Sequence, residues 1–284
     1  MRLFSIAEAK YYSSHFRGSV GDSERSLTEF HKKYLLNKFH TFHEGTTIFD
    51  EYRDCLLRNV ERSLFFSASH YRRALDLMIS SACPWAHVTL YYGSWHVAHA
   101  LLGLFGCTII NNYVIDVAKG LAGNQVLRIQ RIGGKPGQVN TTYKGPHQIF
   151  WDLFYEAFRA IKTIFPSRFQ PAISPINGDR AWQSDRRNEV NYDSFSGIQL
   201  SQDFERGFAC DSFPVCLPGV MNTQYGVFEL LLEMSFYYAR DFGIATDALD
   251  RLRTPLPLRK KVRELIYHEK PSGLVNKTIK SKIT

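Results

Sequence analysis

Two arginines near the start of a predicted helix form the most chemically suggestive group in this sequence. Arg186 and Arg187 follow Ser184 and Asp185, which are residue types that commonly cap helix N-termini. A helix N-terminus offers free backbone N–H donors, and guanidinium groups match the oxygens of a phosphate. We therefore predict that a short helix over 184–195 carries an anion site in which Arg187 anchors and polarises a phosphate group.

Two further side chains of this helix are candidates for contact with a nucleotide. On an ideal helix, Asn188 and Tyr192 share a face that adjoins the face of Arg187. Asn188 could orient the phosphate, and Tyr192 could donate a hydrogen bond or stack on a base. The alternative is an ordinary surface helix, on which Arg187 and Glu189 form ion pairs and Tyr192 packs its ring with the hydroxyl in water.

A second helix carries histidines that could act as bases. His96 and His99 lie in a stretch without Lys, Arg, Asp or Glu that runs from Asp76 to Asp116. Either imidazole could accept a proton near neutral pH, although a histidine on an apolar helix is also a common core residue. Their spacing permits joint metal binding, but no carboxylate or thiolate in this uncharged region completes a coordination shell. We therefore predict no metal and no cofactor.

Other familiar catalytic patterns are missing from the sequence. The five cysteines are scattered, with no C-x-x-C pair, which argues against a closed zinc site and for a reduced, intracellular protein. The glycine-rich stretch 133–146 lacks the Walker spacing, so it is interpreted as a flexible loop. No serine lies in a G-x-S-x-G turn.

Residues 91–102 (YYGSWHVAHALL) and 187–193 (RNEVNYD) resemble two motifs of HEPN-domain proteins. The first resembles their YYAxFHAARALL helix, and the second resembles their RNxADY signature. The two motifs occur in the family's order, and the resemblance covers roughly Phe49 to Phe242. It implies a helical bundle and, for active members, RNA cleavage without a metal at a site that combines two motifs of a dimer.

The resemblance also implies a histidine that this sequence lacks. Active HEPN ribonucleases usually carry an R-x4-6-H motif, whereas Tyr192 stands at the expected position and no histidine occurs between Arg187 and Tyr267. Tyrosine, with a pKa of about 10, is a poor base at pH 7. This leaves Arg187, Asn188, Tyr192 and His96 as candidate catalytic residues, with His96 supplying the missing base.

The elements expected to position these residues are helical. Apolar residues recurring at threes and fours predict long helices from about Ile48 to Met78, Trp85 to Phe105, His147 to Phe165 and Asn222 to Phe242. Strand-like alternation is sparse, and we predict no sheet. The expected fold class is all-α, as a HEPN-like bundle of four or five long helices with loop insertions and a basic C-terminal tail.

The positive charge of the chain is concentrated at its C-terminal end. The formal net charge is +8, and nine Lys or Arg residues against two Glu lie within 253–284. This tail is interpreted either as a solubility device or as an arm for nucleic acid, with Lys260, Lys261 and Arg263 as candidate contacts alongside Arg186. The predicted organisation is an N-terminal extension (1–48), a HEPN-like bundle (49–245) and a basic tail (246–284).

The uncharged stretch is long enough to cross a bilayer, which leaves a membrane-embedded effector as a third reading. Its single proline, Pro84, its glycines and histidines, and the heptad-like spacing of its apolar residues favour a buried central helix instead. No signal peptide is visible, so we expect a cytoplasmic protein without a membrane partner.

Two functions remain as the main expectations. The first is an RNA-directed HEPN-like effector, a metal-independent ribonuclease of a bacterial stress, toxin–antitoxin or antiviral defence system. The second is a non-catalytic HEPN-like adaptor that dimerises or binds a partner enzyme or nucleic acid. The partners expected are RNA, a second copy of the chain and a protein of the same operon.

Overall fold

The computed structural model describes residues 26–35, 42–43, 45–110, 113–119, 125–132, 145–159, 162–193, 196–202 and 219–241. These residues are mostly helical, with one small antiparallel sheet. The helices are α1 (Leu27–Phe30), α2 (Thr47–Ile79), α3 (Cys83–Leu104), α4 (Pro146–Arg159), α5 (Trp182–Tyr192) and α6 (Gly219–Asp241), and 196–202 adds a further short helix.

Helices α2 and α3 form an antiparallel hairpin. The Thr46 hydroxyl caps α2 by accepting a hydrogen bond from the Phe49 N–H at 3.3 Å. The chain then reverses through Ser81, which has a left-handed φ of +58°, and Pro84 fits the first turn of α3, where its missing N–H costs nothing. The hairpin thereby joins the two long helices that the sequence predicts.

Helix α3 is the centre of the bundle. It is surrounded by α2, α5 and α6, and β2 continues from its C-terminal end. Two glycines allow close approach, since a Cβ on Gly93 would lie 2.6 Å from Phe228 of α6, and one on Gly103 would lie 2.4 Å from Val60 of α2. The predicted buried central helix is therefore confirmed. No described helix is long and apolar enough to span a bilayer.

The prediction that the chain has no sheet is wrong. Strands β1 (Phe42–His43), β2 (Cys107–Ile110), β3 (Tyr113–Lys119) and β4 (Gln125–Arg131) form an antiparallel sheet in the order β1-β4-β3-β2. Ile110 pairs with Tyr113, so only Asn111 and Asn112 join β2 to β3. Two asparagines flanked by β-branched and aromatic residues are typical of a β-hairpin. This hairpin was missed in the sequence because the surrounding uncharged stretch was interpreted as a continuation of the preceding helix.

The sheet is tied to the helices by buried polar groups. Asp116 on β3 is fully buried and accepts a hydrogen bond from Arg128 Nε of β4 at 3.0 Å. The Tyr52 hydroxyl of α2 donates to the carbonyl oxygens of Gly106, at 3.2 Å, or Ile115, at 3.4 Å. The Asp116–Arg128 contact joins β3 to β4, and the Tyr52 contacts attach the β2–β3 hairpin to the α2–α3 pair.

The third long helix is shorter than predicted. Helix α4 ends at Arg159, and a separate 3-10 turn, Lys162–Ile164, occupies the rest of the predicted span to Phe165. The last helix, α6, begins at Gly219, three residues before the predicted start at Asn222. Both helices pack aromatic residues into the single core.

Candidate functional site

Helix α5 begins earlier than predicted, which changes the position of Arg187. Its first residue is Trp182, and the turn before it is closed by Asp179, whose carboxylate accepts the Ala181 N–H at 2.8 Å. The prediction that Ser184 and Asp185 cap the helix is therefore wrong. Arg187 lies in the second turn, beyond the free N–H groups of the helix N-terminus, so its own charge is what can attract an anion.

The Arg187 guanidinium is buried between α5 and α3. The residue is only 7% exposed, and its Cζ lies 5.2 Å from the ring centre of Tyr91 and 5.8 Å from that of Tyr92. Its Nε has no hydrogen-bond partner, and none of the described carboxylates forms an ion pair with it. Aromatic faces attract a cation, but they replace little of the hydration that a guanidinium loses on burial.

Tyr91 links Arg187 to a histidine that the sequence analysis did not consider. The Tyr91 hydroxyl is 2.7 Å from Nδ1 of His147, in the first turn of α4, and Trp151 Nε1–H donates to the same hydroxyl at 3.4 Å. Burial raises the pKa of Tyr91 to about 12, against the opposing effects of Trp151 and Arg187. Burial and the Arg187 charge lower the pKa of His147 to about 4, so His147 is neutral at pH 7.

The structure places His96 and His99 in other contacts. The His96 ring lies 5.2 Å from the rings of Phe66 and His70, both on α2, and burial lowers its pKa to about 4. The His99 ring stacks on Phe150 at 4.2 Å, and burial lowers its pKa to about 3. His147, and not His96, has both Tyr91 and Tyr92 as ring neighbours in common with Arg187, and His70 shares Tyr92 with them at 6.4 Å.

The other predicted residues of α5 lie at or near its surface. Arg186 is exposed and pairs with Glu189 at 2.7 Å, so the ion pair foreseen for Arg187 belongs to its neighbour. Asn188 is half-buried. Tyr192 is the last residue of α5 and is 75% exposed. One helix thus presents Arg187 to the interior and Tyr192 to solvent.

A buried network of hydrogen bonds holds α5 in this orientation. Gln183 Nε2 and Trp182 Nε1 both donate to the Tyr155 hydroxyl of α4, at 3.1 and 3.0 Å. Gln224 of α6 donates to Gln183 Oε1 at 3.0 Å and to the Ser94 hydroxyl of α3 at 2.9 Å. The start of α5 is therefore fixed against three other helices, one turn before Arg187.

A second contact between α4 and α5 lies beside His147. Gln148 Nε2 donates to the Asp185 carboxylate at 2.8 Å, and Gln148 Oε1 accepts the Gly145 N–H at 3.2 Å. One glutamine thereby ties the beginning of α4 to the first turn of α5. His147 precedes Gln148, and Arg187 lies two residues after Asp185. The Gln148–Asp185 hydrogen bond therefore fixes the positions of His147 and Arg187 relative to each other.

Another buried imidazole lies one turn before Tyr91 on α3. His87 is fully buried, and neither of its ring nitrogens has a hydrogen-bond partner. Burial, and secondarily the charge of Arg186, lower its pKa to about 4. His87 therefore adds an uncharged, unsatisfied polar group to the same interface between α3 and α5.

The predicted tail contacts Lys260, Lys261 and Arg263 lie outside the described residues. Within the described part of the chain, no three His, Cys, Asp or Glu side chains are grouped to hold a metal ion. Comparisons with protein-family models, with curated proteins and with solved structures gave no significant match. What the site can do must therefore be argued from its own geometry.

Proposed function

We propose that this chain is an RNA-directed effector with a HEPN-like bundle, acting as a metal-independent ribonuclease in a bacterial stress, toxin–antitoxin or antiviral defence system. The proposal is supported by the meeting of the two motif segments, since Arg187 of α5 packs on Tyr91 and Tyr92 of α3. Segments separated by about 90 residues in sequence contribute to one polar site.

The observation that carries the proposal is the buried, unpaired charge of Arg187. A desolvated guanidinium without a carboxylate is costly, and such groups are commonly compensated by an anion or retained for function. Its Nε–H lacks an acceptor, and a phosphate oxygen is an acceptor of the right charge and geometry. Arg187 would bind the scissile phosphate and stabilise the negative charge that grows on it during cleavage.

The remaining predicted residues would act around this centre. Arg186, exposed next to Arg187, and Asn188 would contact flanking parts of the backbone. The basic tail, with Lys260, Lys261 and Arg263, would supply sequence-independent and salt-dependent attraction to RNA. The expected active form is a cytoplasmic homodimer, in line with the resemblance.

The test is cleavage of labelled single-stranded RNA by the purified protein in the presence of a chelator. Wild type should cleave, and Arg187→Ala should lose at least about a hundredfold in rate, in the range found for removal of one preorganised charge-stabilising group. Arg73→Ala is the matched control, because that side chain of α2 is exposed, is paired with Asp76 and lies outside the proposed site. Equal activity of wild type and Arg187→Ala would reject Arg187 as the phosphate anchor.

A non-catalytic adaptor is the second candidate function. It is favoured by Tyr192, which occupies the usual histidine position and points into solvent at the end of α5. An exposed aromatic residue suits contact with a partner protein or with nucleic acid better than proton transfer. Binding of RNA or of a partner without any cleavage in the same assay would support the adaptor.

A further inference from the structure

Arg187 and His147 both contact the same two tyrosines, Tyr91 and Tyr92. The His147 ring lies 5.8 Å from the Tyr91 ring and 6.3 Å from the Tyr92 ring, and the Arg187 guanidinium lies over the same two rings. The positive charge of Arg187 is near enough to lower the pKa of His147. An anion that meets Arg187 beside these tyrosines therefore also approaches the imidazole.

The hydrogen bond to Tyr91 divides the roles of the two ring nitrogens. Nδ1 is held by the Tyr91 hydroxyl at 2.7 Å. With its proton on Nδ1, the imidazole donates to the Tyr91 oxygen and leaves the lone pair on Nε2 to accept a proton. The ring is further held by Trp95, whose ring centre lies 4.3 Å away. His147 is thus oriented by its neighbours in the way that a catalytic base must be.

We propose that His147 is the general base of the site and that it acts with Arg187 of the same chain, an inference that rests on the proposed ribonuclease function. Nε2 of His147 removes the proton from a ribose 2′-OH, and the 2′-oxygen forms a bond to the adjacent phosphorus held by Arg187. The bond from phosphorus to the 5′-oxygen breaks, and the 5′-oxygen takes up the proton from the imidazolium through water. The products are a 2′,3′-cyclic phosphate and a 5′-hydroxyl, with no net change in protons.

This assignment explains how the site can work without the motif histidine. Tyr192 is exposed at the end of α5, and His96 and His99 make their ring contacts with Phe66 and Phe150. His147 comes from α4 and needs no second protomer to reach Arg187. A dimer, where it forms, would then carry two complete sites.

The charges around His147 determine how the site responds to pH. The groups that face it are Tyr91 and Tyr92 on α3, Arg187 on α5 and the neutral His99, also on α3. A phosphate at Arg187 would offset the charge that disfavours the imidazolium. Bound RNA should therefore raise the pKa of His147 from about 4 toward neutrality, where a base is most effective.

The deciding experiment compares His147→Asn with wild type on a labelled single-stranded RNA between pH 5 and 9. Asparagine keeps a polar group near the position of Nδ1 for Tyr91 but removes Nε2. We expect kcat to fall by about a hundredfold to ten-thousandfold with KM changed less than about threefold, and the acid limb of the pH profile to disappear. His70→Asn is the matched control. The His70 imidazole lies on α2 and is hydrogen-bonded to the Phe66 carbonyl, so this variant should retain the wild-type rate.

A second variant separates a chemical role from a structural one. In His147→Ala, added imidazole should restore part of the lost rate, which a residue needed only for folding would not allow. If His147→Asn keeps kcat within about threefold of wild type while Arg187→Ala is inactive, the base lies elsewhere and the ribonuclease proposal stands without this inference. If wild type cleaves no RNA, the ribonuclease proposal fails and this inference with it.

Discussion

Replacing Arg187 with methionine should stabilise the free protein while removing its affinity for an anion. Methionine has a similar length and can occupy the space over the Tyr91 and Tyr92 rings without a charge. Wild-type Arg187 is 7% exposed, its Nε is buried without a partner, and it meets no carboxylate among the described residues. The substitution therefore removes a desolvated cation and leaves no opposite charge behind.

The size of the effect follows from the contacts that are lost. Burial of an unpaired ion costs several kcal/mol after relaxation. The two cation–π contacts and the hydrogen bond between Arg187 and the Tyr91 hydroxyl return about 2 kcal/mol, and they disappear in the variant. A net gain of about 1–3 kcal/mol in the free energy of unfolding remains. At about 2–4 °C for each kcal/mol in a chain of this size, the melting temperature should rise by roughly 2–12 °C.

The assay is thermal and urea unfolding of wild type and variant, with and without a single-stranded RNA oligonucleotide. RNA at about a hundred times its dissociation constant should stabilise wild type by about 2.7 kcal/mol and the variant by much less. Arg73→Met serves as control, because this arginine of α2 is exposed and its ion pair with Asp76 predicts a change within about 0.5 kcal/mol. Destabilisation of Arg187→Met, or equal stabilisation of both proteins by RNA, would refute the reasoning.

Three further substitutions test the framework that holds the site. Gly93→Ala places a Cβ 2.6 Å from Phe228 and should destabilise the protein by about 1–3 kcal/mol in urea unfolding, and an unchanged midpoint would contradict this close packing. Asp116→Ala removes the buried carboxylate that accepts from Arg128 and should cost about 3 kcal/mol, the lower end for a broken buried pair because Arg128 is partly exposed; a loss below about 1 kcal/mol would argue against the pair. His87 has a pKa lowered to about 4, so the unfolded chain binds more protons than the folded one as pH falls from about 6.5, and stability should decrease across that window. His87→Leu should reduce this loss between pH 7 and 5, and identical pH dependence of the two melting temperatures would count against a buried, neutral His87.

The sequence was informative wherever a periodic pattern coincided with burial. Helices α2 and α3 follow from apolar residues at threes and fours and from Pro84, and both are found within two residues of their predicted bounds. The sheet was missed because β2 and the first three residues of β3 are uncharged, so their run merges with the end of α3. A two-residue connection between them, Asn111 and Asn112, was the available signal.

In the candidate site, too, one residue could be predicted from the sequence and another could not. Arg187 could be selected from the sequence because an arginine near a predicted helix N-terminus already indicates an anion site. His147 could not, because its value comes from Tyr91 and Arg187, which meet it only after the β2–β4 sheet and the stretch to Pro146 return the chain to the bundle. Residues 40 to 56 positions apart share no local pattern, and only the packing of α4 against both α3 and α5 brings them together.

A single bound anion would offset both unfavourable features of this site, the buried charge of Arg187 and the lowered pKa of His147. Arg187 is unpaired because no described carboxylate meets it, and His147 is held neutral because burial and that same guanidinium disfavour its charged form. Neither residue can simply turn away, since Gln183 and Gln148 fix the start of α5 against its neighbours. A phosphate bound at Arg187 would compensate the cation and favour protonation of the imidazole together, so that anion binding and proton uptake strengthen each other. That coupling is what a base needs when it must be neutral before attack and charged after it.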